Sequence, residues 1–119
     1  MSGYVDLYLL PVPEGNLGRY RETATRFGAV VREHGGLNYR EFRGDDLSAD
    51  GAVSFTEGVP VGSEEVLTAA VVEFESRAHR DEVMQKVMQD PRVAELMKEE
   101  SIANMEQMRY GGFETIVTA

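Results

Sequence analysis

A chain of 119 residues bounds one domain, long enough to bury a core of its own and too short for a second. Twelve Lys and Arg against 21 Asp and Glu give a formal charge of −9. Such a surface repels phosphate backbones and anionic headgroups, so neither nucleic acid nor a membrane surface is an expected partner. The absence of Cys excludes disulfides, thiolate nucleophiles and thiolate metal sites.

The N-terminal MSGYVDLYLLPVPEG has no basic leader, carries Asp6 inside its apolar run and soon meets Pro11. It reads as neither a signal peptide nor a membrane span, and a soluble cytoplasmic protein is expected. Residues 4–10, YVDLYLL, are aromatic and aliphatic and stop at Pro11 and Pro13, which predicts a first strand. Leu17, Tyr20, Ala24, Phe27, Val31 and then His34 fall on one helical face, and Gly35-Gly36 ends that helix. LNYREFR, bounded by glycine on both sides, predicts a second strand. The following GDDLSADGAVSFTEGVPVGSEE is rich in Gly, Asp and Ser without a sustained period. A loop of about twenty residues is longer than a connection needs, so this segment is expected to carry something specific.

Val66 to Phe74, VLTAAVVEF, has the near-continuous apolar pattern of a strand covered on both faces. Ser76 is positioned to cap the next helix, whose buried stripe is His79, Val83, Met84, Val87 and Met88. Asp90-Pro91 breaks or restarts it, leading into a further helical piece, RVAELMKEE. MRYGGFETIVT closes the chain as a strand, its Gly111-Gly112 marking a bulge or a close backbone approach. The order strand, helix, strand, strand, helix, strand predicts one α+β domain over residues 1–119. It is the ferredoxin-like βαββαβ arrangement, a four-stranded antiparallel sheet with its helices on one face and the first and third strands central. The uncovered face calls for a second copy of the same sheet, which predicts a homodimer.

LPVP, REHGGLNYREFRGDD, FESRAHRDEVMQKVMQDPR and the terminal MRYGGFE together resemble the uncharacterised family known as "domain of unknown function 1428". The resemblance covers nearly the whole chain and implies the dimeric α/β-barrel superfamily, hence the same sheet-on-sheet dimer. That superfamily includes cofactor-free monooxygenases, small-molecule isomerases, haem-binding enzymes and ligand-sensing modules. The resemblance therefore implies a small apolar or aromatic ligand and no particular reaction.

Few residues invite chemistry. His34, in the last turn of its helix, is favoured there as a cation by the helix dipole, and would serve as a general base only if it faced a cavity. His79, with Arg77 and Arg80, sits at a helix start that could hold an anionic group; the plainer reading pairs the arginines with Asp81 or Glu82 on a solvated face. Asp45, Asp46 and Asp50 offer oxygen ligands to a hard cation, but their spacing fits no EF-hand and an Asx-rich turn explains them. Haem would need His34 or His79 as an axial ligand, and the spacing favours neither, so no cofactor is expected. In the first strand Val5, Leu7 and Leu9 alternate with Tyr4, Asp6 and Tyr8. With the aliphatic set against the helices, Tyr4, Asp6 and Tyr8, joined by Tyr110, would face the dimer interior, as an interface or as a ligand-binding wall. Met84, Met88, Met97, Met105 and Met108 read as adaptable core fillers. P-loop, GxGxxG, GxSxG and HExxH motifs are all missing.

Three functions follow from this pattern. The first is a small-molecule-binding homodimer acting as sensor or accessory protein, its pocket shaped by the loop from Gly44 to Glu65 and the helix start at Arg77 to Arg80. The second is a cofactor-independent, monooxygenase- or isomerase-like enzyme on a small aromatic or carbonyl substrate. The third is a structural dimerisation module.

Overall fold

The computed structural model describes residues 3–98 and 102–119. Strand β1 (Tyr4–Pro13) leads into helix α1 (Leu17–Glu33), then β2 (Asn38–Arg43), β3 (Glu65–Phe74), α2 (Arg77–Gln89), α3 (Pro91–Met97) and β4 (Arg109–Glu114). All neighbouring strands are antiparallel, in the order β2-β3-β1-β4, which is the ferredoxin-like topology with β1 and β3 central. Ser76 caps α2 by accepting from the His79 amide. At Asp90 the second helical unit divides: the Asp90 side chain accepts from the Arg92 amide and Pro91 occupies the first turn of α3. The end of the expected RVAELMKEE helix, Glu99 and Glu100, lies outside the described residues.

Two expectations about the strands change. β1 does not stop at Pro11 but continues to Pro13. The Pro11 carbonyl accepts from the Asn104 amide at 2.9 Å, on the edge away from β3. A strand residue points its N–H and C=O to the same side, so the missing proline N–H also falls on that edge, where β4 pairing has ended at Leu9. Gly111-Gly112 forms no bulge, since pairing runs unbroken from Leu7↔Gly111 to Asp6↔Gly112. The close approach is real: a Cβ on Gly112 would stand 2.2 Å from the Tyr4 hydroxyl oxygen.

The larger correction concerns which face of β1 meets the helices. Tyr4 and Tyr8 pack against the core of Val30 and Val31 from α1, Val72 and Phe74 from β3, Val83 and Val87 from α2, and Val93 from α3. Asp6, on the same face, is 0% exposed. Its Oδ1 accepts from Arg80 of α2 at 2.6 Å, so the charge of the helix reaches the acid at the centre of the sheet. Tyr4, Asp6 and Tyr8 therefore point into the helix layer, and the open face carries Val5, Leu7 and Leu9 instead. Aliphatic content alone does not decide the question, because tyrosine rings bury more area than valine and the cost of burying Asp6 is offset by an ion pair.

On the open face Leu7, Phe42 and Phe113 remain 37%, 40% and 54% exposed. The long segment from Gly44 to Glu64 holds one short 3₁₀ turn, Phe55–Glu57. It is tied to this side of the sheet by the Gly58 carbonyl, which accepts from Arg109 at 2.9 Å, and Val59 within it is buried.

Two stability measurements test this account. Val87→Ala empties part of the fully buried core and should lower the urea unfolding free energy by about 2 kcal/mol at constant m-value, whereas the exposed Val53→Ala should change it by less than about 0.5 kcal/mol. Arg80→Met strands the Asp6 charge and should cost about 3 kcal/mol. Combining it with Asp6→Asn should recover much of that loss, a coupling of about 2 kcal/mol in the double-mutant cycle. Strict additivity would mean that the pair does not join helix to sheet.

Candidate functional site

Five of the six expected ligand-binding residues meet around Arg80. Its guanidinium donates to Asp6 and to the Tyr110 hydroxyl, each at 2.6 Å, and lies 5.0 Å from the centre of the Tyr4 ring. The Tyr8 and Tyr110 rings stand 4.8 Å apart. Arg77 is exposed on the first turn of α2. Burial raises the Asp6 carboxyl above the usual carboxylate range against the opposing pull of Arg80 and Tyr110. Its Oδ2 is buried without a hydrogen-bond partner. The groups of this cluster are largely spent on one another, so its clearest work is holding α2 on the sheet.

Both histidines close local structure. His34 follows the last residue of α1, and its Nε2 lies 2.9 Å from Asp90 Oδ2, joining the end of α1 to the start of α3. Asp90 also accepts from Arg92, and Arg92 in turn donates to Glu33. The hydrogen bonds from Arg92, then that from His34, hold the Asp90 carboxyl below the usual carboxylate range. His79 Nδ1 accepts from the Glu75 amide at 3.0 Å, and its ring stands edge-on to Phe74. Asp45, Asp46 and Asp50 are exposed in the long loop, and among the described residues no group of three or more acids or histidines is placed to hold a metal ion.

The space suited to a ligand lies elsewhere, between the sheet and the helices. β3 narrows in side-chain volume along its helix face, from Phe74 and Val72 to Ala70 and Thr68. The small residues leave a cavity of about 510 Å³ beside the core. Across its floor Tyr8, Ala70 and Glu41 stand in register on three neighbouring strands. The Thr68 hydroxyl is engaged by the Leu10 carbonyl at 2.9 Å. Phe27 meets the Tyr39 ring edge-on, with centres 5.9 Å apart.

Glu41 supplies the charged group of this wall. Tyr20 of α1 donates its hydroxyl to Oε1 and Tyr39 of β2 donates to Oε2. Burial, and next the negative charge of Glu41, push both phenols well above the ordinary tyrosine range, so both remain donors. Gly28 makes the arrangement possible, because a Cβ there would lie 2.5 Å from the Tyr39 ring. Tyr20, Tyr39 and Glu41 also border an outer groove of about 440 Å³ that runs along α1 past Arg21 and Arg32.

Helical spacing places Tyr20 on the buried stripe of α1, and Glu41 is not among the residues expected to form a site. The available signal was the alternation of LNYREFR, which puts Tyr39 and Glu41 on one face and Arg40 and Phe42 on the other. The methionines also differ from expectation. Met84 packs against the core, but Met88, Met97, Met105 and Met108 are exposed and ring the cavity. Their concentration, five of six methionines between positions 84 and 108, was the visible clue. Of the expected ligand residues, Tyr8 lines this cavity; the loop from Gly44 to Glu64 and the two histidines do not.

Comparison with known proteins agrees with the topology. The uncharacterized protein YbaA of Escherichia coli strain K12 is 32% identical over 114 residues, covering 96% of this chain and 97% of its own. A dimeric ferredoxin-like protein from an uncultured marine organism superposes with a TM-score of 0.58 at 9% identity, over 100% of this chain and 92% of its own. SnoaB, a cofactor-independent oxygenase from Streptomyces nogalater, superposes with a TM-score of 0.57 at 11% identity, over 99% and 97%. At these identities the two structures share the fold with this chain. Among the described residues no helix is long and apolar enough to cross a membrane. The family described as "Protein of unknown function (DUF1428)" matches residues 3–106, and with YbaA similar from end to end, the chain belongs to that family.

Proposed function

We propose that this chain works as a homodimer that binds a small, largely apolar molecule between its sheet and its helices, as a sensor or accessory protein. The observation that carries the reading is the cavity of about 510 Å³, whose walls are mostly Met, Phe, Tyr, Leu and Ala with one carboxylate held by two hydroxyls. Small-molecule sites typically combine an apolar lining of about 300–1,000 Å³ with a few placed polar groups. Thioether side chains at the mouth adapt to irregular ligands at little cost. Neither histidine lines the space, so proton transfer by His34 or His79 would need another site, and binding is the simpler account.

The homodimer rests on the open face of the sheet. Leu7, Phe42 and Phe113 are exposed there, and strand pairing brings them alongside Val5, Leu9, Ala69 and Val71. A contiguous apolar patch of this kind is commonly covered by a partner surface. The structurally similar ferredoxin-like protein from a marine organism is itself dimeric.

Sedimentation at micromolar concentration should give twice the chain mass, and Leu7→Glu should reduce it to one. A persistent Leu7→Glu dimer would place the interface elsewhere. A thermal-shift screen should find apolar molecules that raise Tm, since a ligand that binds only the folded state at about 100 times its Kd adds about 2.7 kcal/mol. Ala70→Leu, which fills the cavity floor, should abolish those shifts without changing the dimer mass. Shifts that survive Ala70→Leu would put the ligand outside the cavity.

A further inference from the structure

We infer that the cavity selects ligands carrying a cationic amine on an aromatic or aliphatic body, with Glu41 receiving the ammonium group. The inference rests on the binding reading above and names its ligand class. The described residues that line the cavity include one carboxylate, three phenols and two threonines, and no Lys, Arg or His. A carboxylate beside apolar space is costly unless hydrogen-bond donors surround it. Tyr20 and Tyr39 each give Glu41 one donor. An ionised carboxylate offers about four lone-pair positions, so acceptor capacity is left for a third and a fourth donor. The two hydroxyls come from different elements and grip opposite oxygens, which fixes the carboxylate rather than neutralising it.

The neighbouring groups point the same way. Tyr8, Tyr20, Phe27 and Tyr39 all border the space, and the negative faces of aromatic rings attract cations, most strongly where water is excluded. Glu41 also borders the outer groove that holds Arg21 and Arg32, but among the described residues no ion pair forms to Glu41 and neither arginine lines the cavity. An anionic ligand would bring like charge to Glu41 without a compensating cation. A neutral alcohol would use one acceptor position, whereas a primary ammonium brings three donors and a full charge.

The test compares three probes with one aromatic body: naphthylmethylammonium, naphthylmethanol and naphthoate, each titrated calorimetrically into the full-length protein near pH 7. The ammonium should bind at least tenfold more tightly than the alcohol, and naphthoate more weakly than both. A chain of net charge −9 attracts any cation non-specifically, so the decisive comparison is between Glu41→Gln and the exposed Glu22→Gln. Glu41→Gln should erase the preference, with the ammonium losing at least tenfold more affinity than the alcohol, and Glu22→Gln should leave the tenfold preference intact. Tyr20→Phe, which keeps the ring and loosens the carboxylate, should weaken the ammonium more than the alcohol. Alcohol binding with equal or tighter naphthoate, or an ammonium preference that survives Glu41→Gln, overturns the charge selection and leaves the cavity as a binding site. Failure of all three probes to bind overturns both readings.

Discussion

A carboxylate without solvent contact, in the central strand of the only sheet among the described residues, is the constraint around which this fold is arranged. Asp6 is acceptable at that depth because Arg80, 74 positions later, lays its guanidinium on it at 2.6 Å. The same guanidinium reaches Tyr110 and covers Tyr4. One cation thereby fixes the first turn of α2 against β1 and β4 and decides which face of β1 is inside. Gly112 follows from it: with Asp6 turned inward, Tyr4 lies inward too, and its ring occupies the place where a side chain on β4 would stand.

The helix face of the sheet then divides by side-chain volume. At one end Phe74 and Val72 meet the valines of all three helices and form a close-packed core. At the other, the small side chains of Ala70 and Thr68 leave a gap beneath the helices, and this becomes the cavity. The junction of α1, α2 and α3 is secured at the packed end by the chain of contacts from His34 through Asp90 and Arg92 to Glu33. Rigidity at one end lets the other remain hollow without loss of the fold, since each void in a core otherwise costs stability in proportion to its volume.

Element type and order were readable from the chain because they depend on local signals. The 3.6-residue spacing of α1, the Ser76 and Asp90 caps and the apolar run of β3 each lie within one window of sequence. The site was not readable for the opposite reason. Whether Asp6 faces inward depends on Arg80, and whether Glu41 is a wall of a cavity depends on Tyr20, a residue 21 positions earlier that helical periodicity presents as ordinary core. The methionines illustrate the same limit. Periodicity places Met88 on the buried stripe of α2, yet it is 53% exposed and borders the cavity whose sheet side carries Ala70 and Thr68.

The prolines of β1 have a consequence beyond the shape of the strand. From Leu10 to Pro13 the strand pairs with β3 on one side, while its other side has lost β4 and, among the described residues, takes a backbone hydrogen bond from Asn104. A strand flank that offers free donors and acceptors is where a foreign strand can add itself and seed aggregation. With prolines at both 11 and 13, the two amides that would point outward carry no hydrogen, and an incoming backbone finds too few donors to establish a ladder. The residues that look like a stop signal in the sequence thus withhold a second ladder along this flank, where Pro11 is itself buried and the chain around Asn104 returns to meet it.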